Sequence, residues 1–217
     1  ARVFKLALSN GAPFTVIGND GGLLRSPAGG ITQIELGMGE RLDVLVDFTA
    51  LALGQKIVLR CLGARWDLLQ FVGSGAPGYA FAVPGTLSAI TPLAGPTTPT
   101  RTFSFDGMSR INGLQYAMDR IDFQVPFGVV ERWRFMTGGG APHTFHVHGA
   151  SFQVVSRTGG RGNLFAWEGG WKDTVLLNDR EVVEMLIRFD GYRGLYVLHC
   201  HQLEHEDMGM MSNFEVV

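Results

Sequence analysis

All six histidines of this 217-residue chain fall into two short clusters, and none lies in residues 1–142. The first cluster is His143, His146 and His148, and the second is His199, His201 and His205. The second cluster also contains Cys200, between two of its histidines, and Met210, five residues after its last histidine. Imidazole, thiolate and thioether groups are ligands of transition metals. The two clusters therefore predict metal binding.

The spacing within the clusters predicts two metal environments on opposite faces of a sheet. Side chains alternate between the faces of a β-strand, so His146 and His148 point to the same side. By the same rule His199 and His201 share a face, and Cys200 points to the other. Four imidazoles on one face would serve a metal cluster, while the thiolate belongs to a separate site.

The ligand types around the thiolate favour copper. One thiolate and two imidazoles in a near-trigonal plane, with a weak thioether on the axis, form a blue-copper electron-transfer site. The chain offers this set as Cys200, His143, His205 and Met210. Because Cys200 is bonded through the backbone to both neighbouring histidines, an electron reaching its copper has a short covalent route to the other face. A copper cluster there would gather the electrons that convert dioxygen to water.

Plainer interpretations of these residues compete with a copper site. A lone histidine is usually a core or surface residue, and a single His-x-His pair is only a weak zinc signal. Structural zinc sites favour four closed ligands and have no use for a thioether. A plain zinc site is therefore the weaker alternative.

The remaining sulfur-containing residues have simpler expected roles. We expect Met38, Met118 and Met185 to fill the core, Met211 to pack and Met208 to face solvent. Cys61 lies in an apolar run and is expected to be a buried, inert thiol. It could in principle pair with Cys200, although a metal-ligand role for Cys200 competes with a disulfide.

The elements that must position these residues are predicted to be almost all β. Short apolar or alternating runs are separated by Gly, Pro, Asn and Asp turn signals, two of which are at residues 19–22 and 26–30. Short strands at this spacing are typical of a Greek-key sandwich or barrel. Residues 84–100 are uncharged and hold four prolines, which predicts an extended linker. This divides the chain into residues 1–83, which begin in mid-sheet and look truncated, and residues 101–217.

Composition excludes several classes of partner. An apolar content of 46% is enough for a packed core. The formal net charge is −2 and no run of Lys or Arg stands out, so nucleic acid and an anionic membrane surface are not expected partners. No apolar run approaches the roughly 18 residues that a membrane span needs.

The paired clusters resemble the C-terminal copper signature of multicopper oxidases, the group of laccases, bilirubin oxidases and cuprous oxidases. Further segments agree, and together they cover nearly the whole chain. Residues 13–24 and 39–48 resemble the middle cupredoxin domain of bacterial three-domain members, and residues 111–113, 131–133 and 170–175 resemble their third domain. The resemblance implies a cupredoxin-like fold, with a partial middle domain in residues 1–83 and a copper-binding C-terminal domain in residues 101–217.

The resemblance also implies a role for each candidate residue. The type-1 copper, which receives substrate electrons, would be bound by His143, Cys200, His205 and Met210. His146 would bind type-2 copper, and the type-3 ligands would be His148, His199 and His201. Glu206 matches an acidic residue thought to relay protons toward the oxygen site, with a solvated loop carboxylate as the alternative. Asp173 is expected to orient a ligand histidine without binding the metal itself.

The chain departs from the family pattern in its histidine count. The family's oxygen-reducing cluster uses eight histidines, half of them from an N-terminal domain, and this chain has four. We therefore expect a fragment whose partners are the missing N-terminal domain of the same protein, dioxygen and a small aromatic or metal-ion reductant. The family suggests a periplasmic or secreted setting.

The expected activity is laccase-type oxidation of phenols or aromatic amines coupled to reduction of dioxygen to water. One alternative is a metal oxidase for Cu(I) or Mn(II). Cuprous oxidases carry methionine-rich insertions, whereas residues 105–111 hold only Met108, which weakens that alternative. Another is a copper-binding electron-transfer module without oxidase activity.

Overall fold

A computed structural model describes residues 2–76, 78 and 81–217 of the chain. Seventeen strands are described, together with one 3-10 helix at Ala166–Gly169 and one α-helix, α1, at Leu203–Asp207. The all-β prediction is confirmed. Within the described residues no helix has the length and apolar character needed to cross a membrane.

Seven strands form a first unit with two sheets. One sheet has the order β4-β1-β6-β7 and the other β3-β2-β5. The bounds are β1 Phe4–Leu8, β2 Phe14–Asn19, β3 Gly22–Ile31, β4 Ile34–Leu36, β5 Leu42–Val46, β6 Lys56–Cys61 and β7 Trp66–Val72. Strand β7 lies at a sheet edge and leaves apolar side chains exposed, among them Leu69 and Val72.

Ten further strands form a second unit, again with two sheets. Their orders are β10-β17-β16-β12-β14 and β13-β15-β11-β8-β9, and the crossovers between non-consecutive strands fit a Greek-key sandwich. The bounds are β8 Arg101–Asp106, β9 Arg110–Ile111, β10 Phe123–Val125, β11 Val130–Thr137, β12 His143–Val147, β13 Phe152–Thr158, β14 Thr174–Leu177, β15 Val182–Arg188, β16 Gly194–Cys200 and β17 Met211–Val216.

The larger core lies between the two sheets of the second unit. Strand β11 shows how it forms, since Trp133 and Phe135 are buried at alternate positions and Arg134 between them is only partly covered. Phe135 packs against Phe145 of β12 in the opposite sheet, with ring centroids 3.8 Å apart. The rigid core therefore supports β12, which carries the first histidine cluster.

The first unit has a smaller core that includes a side chain from the second. Trp167, in the 3-10 helix, is 4% exposed and packs with Leu24 and Val16. Its carbonyl accepts a hydrogen bond of 2.8 Å from Asn19 Nδ2. The two units are thus joined by buried apolar contacts close to the strands that carry the metal-ligand candidates.

The structure confirms some of the expectations for turns and sulfur-containing residues and contradicts others. The turn at residues 19–22 is confirmed, but residues 26–30 lie inside β3, where register shifts against β2 absorb the proline and glycines. Met185 and Cys61 are buried and Met208 is exposed, all as expected, and Met211 and Met38 are partly covered. The core role for Met118 is wrong, because Met118 lies in a surface turn and is 77% exposed.

Candidate metal centre

Strand pairing brings the two histidine clusters together. Strand β12 lies between β14 and β16 and pairs antiparallel with each of them. The register places His146 opposite His199, and Phe145 opposite Cys200. Residues that pair directly share a face of the sheet. The sheet therefore assembles both groups of candidate ligands from segments that are far apart in the chain.

The thiol group, defined as Cys200, His143 and His205, is buried and converges on one point. Cys200 Sγ lies 3.6 Å from His143 Nδ1 and 3.5 Å from His205 Nδ1, and the two Nδ1 atoms are 3.2 Å apart. A triangle with these sides has its centre about 2.0 Å from each corner, which matches metal–nitrogen bond lengths and is slightly short for metal–sulfur. The three donor atoms thus fit one transition-metal ion.

Burial controls protonation of the thiol group when no metal is bound. It raises the pKa of Cys200 to about 11. Burial and the neighbouring His205 lower the pKa of His143 to about 4. At neutral pH the metal-free group is therefore an uncharged thiol with uncharged imidazoles, and a metal cation would bind there with release of the thiol proton.

Met210 lies beside the thiol group. Its side chain is fully buried in the core cluster that also contains Cys200. Its carbonyl accepts a 3.0 Å hydrogen bond from the Cys200 amide, and its own amide donates to the His205 carbonyl at 2.9 Å. The turn after α1 therefore brings the backbone of Met210 next to both of these residues.

The histidine face, defined as His146, His148, His199 and His201, lies on the side of the sheet opposite Cys200. Nitrogen atoms of the first three all lie within 4.8 Å of one another. His148 Nε2 and His199 Nε2 are 3.0 Å apart. The ring of His201 is 5.4 Å from that of His146 and 5.3 Å from that of His199. Strand alternation thus places four imidazoles together.

The histidine face is less enclosed than the thiol group. His199 is buried, His146 and His201 are partly covered, and His148 is exposed. Burial lowers the pKa of His199 to about 4, and it also lowers the pKa of His148. Uncharged imidazoles are the form that binds metal. The face is therefore suited to bind metal while one side remains open.

The two acidic candidates both lie at the histidine face. Glu206, in α1, has Oε2 3.5 Å from His199 Nδ1, and its side chain is 31% exposed. Asp173 contacts His146, whose Nδ1 is 2.9 Å from the Asp173 carbonyl. Burial raises the pKa of Asp173, but hydrogen bonds from Arg41, His146 and Thr174 outweigh it and hold this pKa well below its usual range.

Sequence reasoning missed residues of the first unit that contact the histidine face or the adjacent Asp173. Arg41 donates to both carboxylate oxygens of Asp173, at 2.6 and 2.7 Å. Gly39 lies so close to His201 that a Cβ atom on it would be 2.6 Å from the ring. These residues stand in a segment that resembles the family's middle domain, but nothing local to the segment indicates which residue each one contacts.

Comparison with known proteins gives a consistent result. Residues 90–217 match the family model described as multicopper oxidase. The chain is 36% identical to bilirubin oxidase from Albifimbria verrucaria, over 96% of this chain and 40% of that protein. It is 30% identical to the cell division protein FtsP of Dickeya dadantii, over 98% of this chain and 48% of that one.

Solved structures agree with these matches. The laccase from Pediococcus acidilactici superposes with a TM-score of 0.90 and 32% identity, covering 100% of this chain and 47% of the laccase. The chain thus spans less than half the length of these relatives. The cupredoxin-like fold predicted from the copper signature is confirmed by this superposition. With its fold, its Cys-His-His group and the family match over residues 90–217, the chain belongs to the multicopper oxidase family.

Proposed function

We propose that residues 101–217 bind a type-1 copper at the thiol group and supply half of a copper cluster from the histidine face. The observation that carries this proposal is the convergence of Cys200, His143 and His205 on one point, on the opposite side of the sheet from four imidazoles. Met210 would supply a thioether as the fourth ligand of the type-1 site. His146 would bind type-2 copper, and His148, His199 and His201 would bind type-3 copper.

Copper bound at the two sites would supply one-electron redox chemistry and reduction of dioxygen to water. The chain's own contribution is the path between them. Cys200 is the last residue of β16, and its backbone bonds lead directly to His199 and His201. The backbone is held rigid because the Cys200 amide donates to Met210 and the His201 amide donates to the Thr144 carbonyl at 2.6 Å. Electrons would therefore cross the sheet through bonds of fixed geometry.

Glu206 would carry protons toward the histidine face. Its carboxylate is near His199 and remains partly exposed, so it connects that histidine to solvent. A group with one side in water and the other at the metal face can take up and release protons repeatedly. If Glu206 is instead only a solvated loop carboxylate, Glu206→Gln would leave the rate of oxygen reduction unchanged in a fully assembled enzyme.

The reductant would be a small aromatic molecule such as a phenol. Leu203 and Met208, on either side of His205 in sequence, are exposed and apolar, and they offer a surface to a neutral ring. The chain has no strong net charge to attract an ionic substrate. The similarity to bilirubin oxidase and to a laccase supports the same choice.

We propose that residues outside this chain complete the copper cluster. The histidine face has four imidazoles and an exposed edge at His148. The domain division, with a partial middle domain at 1–83, a linker at 84–100 and the copper domain at 101–217, is supported by the absence of described strands between 73 and 100. The exposed apolar side chains of edge strand β7 support a middle domain whose edge is covered by residues outside this chain. A periplasmic or secreted location is part of this proposal and is testable by cell fractionation.

A second candidate function is a copper-binding module without oxidase activity. It is favoured by the 30% identity to a protein named for cell division and by the incomplete set of cluster ligands. Both candidate functions include copper bound at the type-1 site. They differ in whether the protein turns over dioxygen. Oxidation rates with Mn(II) and Cu(I), measured beside a phenolic dye, would separate a metal oxidase from both.

The test is an absorption spectrum of the copper-loaded chain. We expect an intense visible band from thiolate-to-copper charge transfer, lost in Cys200→Ser and retained in Cys61→Ser, whose thiol is also buried but lies in the first unit. We also expect no four-electron turnover with dioxygen by this chain alone. A colourless wild-type chain would overturn the type-1 assignment, and measured turnover would overturn the half-cluster assignment.

A further inference from the structure

The loop of residues 37–41, between β4 and β5 of the first unit, packs against the strands that carry the histidine face. Gly37 lies against Thr144 and Leu176, where a Cβ atom would be 3.0 Å from each side chain. Glu40 Oε1 accepts a 3.2 Å hydrogen bond from the Leu176 amide. This 37–41 loop therefore forms part of the wall of the metal centre, although it belongs to the other unit.

Arg41 holds the carboxylate of Asp173 in a fixed plane. Its Nη1 and Nη2 atoms donate in parallel to Oδ1 and Oδ2, at 2.6 and 2.7 Å. The same two nitrogens also donate to the carbonyls of Gly39 and Asp20, both at 2.9 Å. A guanidinium bound on both sides in this way cannot rotate without losing several charge-assisted hydrogen bonds. Asp173 is fixed with it.

Asp173 in turn determines which nitrogen of His146 carries hydrogen. The Thr174 hydroxyl donates its single hydrogen to Asp173 Oδ1 at 2.7 Å, so it can only accept from His146 Nδ1, 2.9 Å away. The second partner of Nδ1 is the Asp173 carbonyl, which also only accepts. The hydrogen of His146 is therefore on Nδ1, and the lone pair of Nε2 is free for a metal.

We propose that Arg41 is a positioning residue for the metal centre, which acts through Asp173 and Thr174 to keep His146 in the tautomer that binds metal through Nε2. The inference rests on the proposed function of the histidine face. It adds that the first unit contributes to the coordination geometry of the second. Loss of such an outer partner typically lowers metal affinity 10–100-fold, and we expect about tenfold here because Arg41 acts through an intermediary.

The first experiment uses the metal-free chain and long-range proton–nitrogen correlation spectra of the histidine rings. We expect the wild type to show His146 protonated at Nδ1. In Arg41→Gln the Asp173 carboxylate is free to turn toward solvent, so Thr174 can donate to Nδ1, and a minor Nε2-protonated population should appear although the Asp173 carbonyl still accepts from Nδ1. Arg60→Gln is the matched control, because Arg60 is as exposed as Arg41 and pairs with Asp67 at 2.9 Å away from the site.

Arg41→Lys serves if Arg41→Gln does not fold. A lysine keeps the charge but cannot bind both carboxylate oxygens in parallel, so the mixed tautomer should appear there too. Identical His146 spectra in the wild type and in a folded Arg41 variant would overturn the inference. A shift in the Arg60 control equal to that of the Arg41 variants would also overturn it.

The second experiment separates this inference from the proposed function. Zn(II), a diamagnetic probe, is titrated while the ring signals of His146 are followed, so binding at the thiol group does not contribute. We expect saturation at a concentration about tenfold higher in Arg41→Gln than in the wild type. If Zn(II) leaves His146 unchanged in the wild type, the proposed metal function of the face fails, while the metal-free spectra still decide the role of Arg41.

Discussion

Replacing Gly39 by alanine is expected to displace His201 without affecting the rest of the metal centre. The new Cβ atom would lie 2.6 Å from His201 Cδ2 and 2.9 Å from Nε2. Carbon atoms in contact sit about 3.5–4.0 Å apart, so the ring must move by about 1 Å. Metal sites require ligand distances within about 0.2 Å, and a shift of this size would remove His201 as a ligand.

Backbone strain complicates this substitution, and Gly30→Ala corrects for it. Gly39 has a φ of +81° and Gly30 a φ of +74°, so alanine costs about 1–2 kcal/mol at either position. A Cβ atom on Gly30 meets no atom within 4 Å, whereas one on Gly39 meets the His201 ring. The two variants therefore share the strain and differ in the clash.

The assay for Gly39→Ala combines urea denaturation with ring spectra of the histidines. Both variants should lose a similar free energy of unfolding. Only Gly39→Ala should shift the His201 ring signals and abolish their response to Zn(II). If the His201 signals of Gly39→Ala match those of Gly30→Ala, the 37–41 loop has yielded instead of the ring, and the claim that this loop fixes His201 is refuted.

Three further predictions concern stability. Lys172→Met removes a buried cation that lies 2.9 Å from Asp20 Oδ2 and 3.5 Å from Glu40 Oε1. It should lower the free energy of unfolding by about 3–5 kcal/mol, seen as a drop in melting temperature. Adding Asp20→Asn and Glu40→Gln should restore most of this free energy. Trp167→Ala should cost about 3–5 kcal/mol in urea denaturation, while Trp66→Ala, at an exposed position, should cost far less. Burial raises the pKa of Glu184, but hydrogen bonds from Arg132 and Arg134 outweigh it, so the folded pKa lies below the ordinary 4.5. The stabilisation from this ionised carboxylate is present above pH 4.5 and is lost as the pH falls through the folded pKa. Glu184→Gln should therefore flatten the acid side of the plot of unfolding free energy against pH, and an unchanged slope there would contradict this.

The part of the metal centre that follows from short-range spacing could be predicted from the sequence. Alternation along a strand is a local property, and it places Cys200 on the opposite face from His199 and His201 whichever strands pair with it. The expected closeness of Cys200 to His143 and His205 depended on ligand chemistry, and the structure brings these atoms within 3.6 Å. The assignment of copper types to these residues stays a prediction.

Contacts between the two units could not be predicted in the same way. The Arg41–Asp173 pair joins residues 132 positions apart, and no local pattern indicates which arginine meets which aspartate. Local signals also failed where tertiary pairing overrides them. The glycines and Pro27 of residues 26–30 predict a turn, but pairing with β2 keeps this segment extended, with bulges at the irregular positions.

The polar contacts between the units set geometry more than they add stability. A buried ion pair such as Lys172 with Asp20 costs nearly as much to desolvate as its attraction returns, and well-packed apolar replacements are often as stable. Hydrogen bonds, however, are directional. It is the charged network, rather than apolar packing, that fixes the Asp173 carboxylate relative to Arg41 and the 37–41 loop relative to His201. The triple variant Lys172→Met, Asp20→Asn and Glu40→Gln removes the charges but keeps acceptors for the backbone amides that these carboxylates bind, so it should recover most of the free energy of unfolding lost in Lys172→Met while it broadens or shifts the His146 and His201 ring signals. Unchanged ring signals in that triple variant would show that packing alone positions the histidine face.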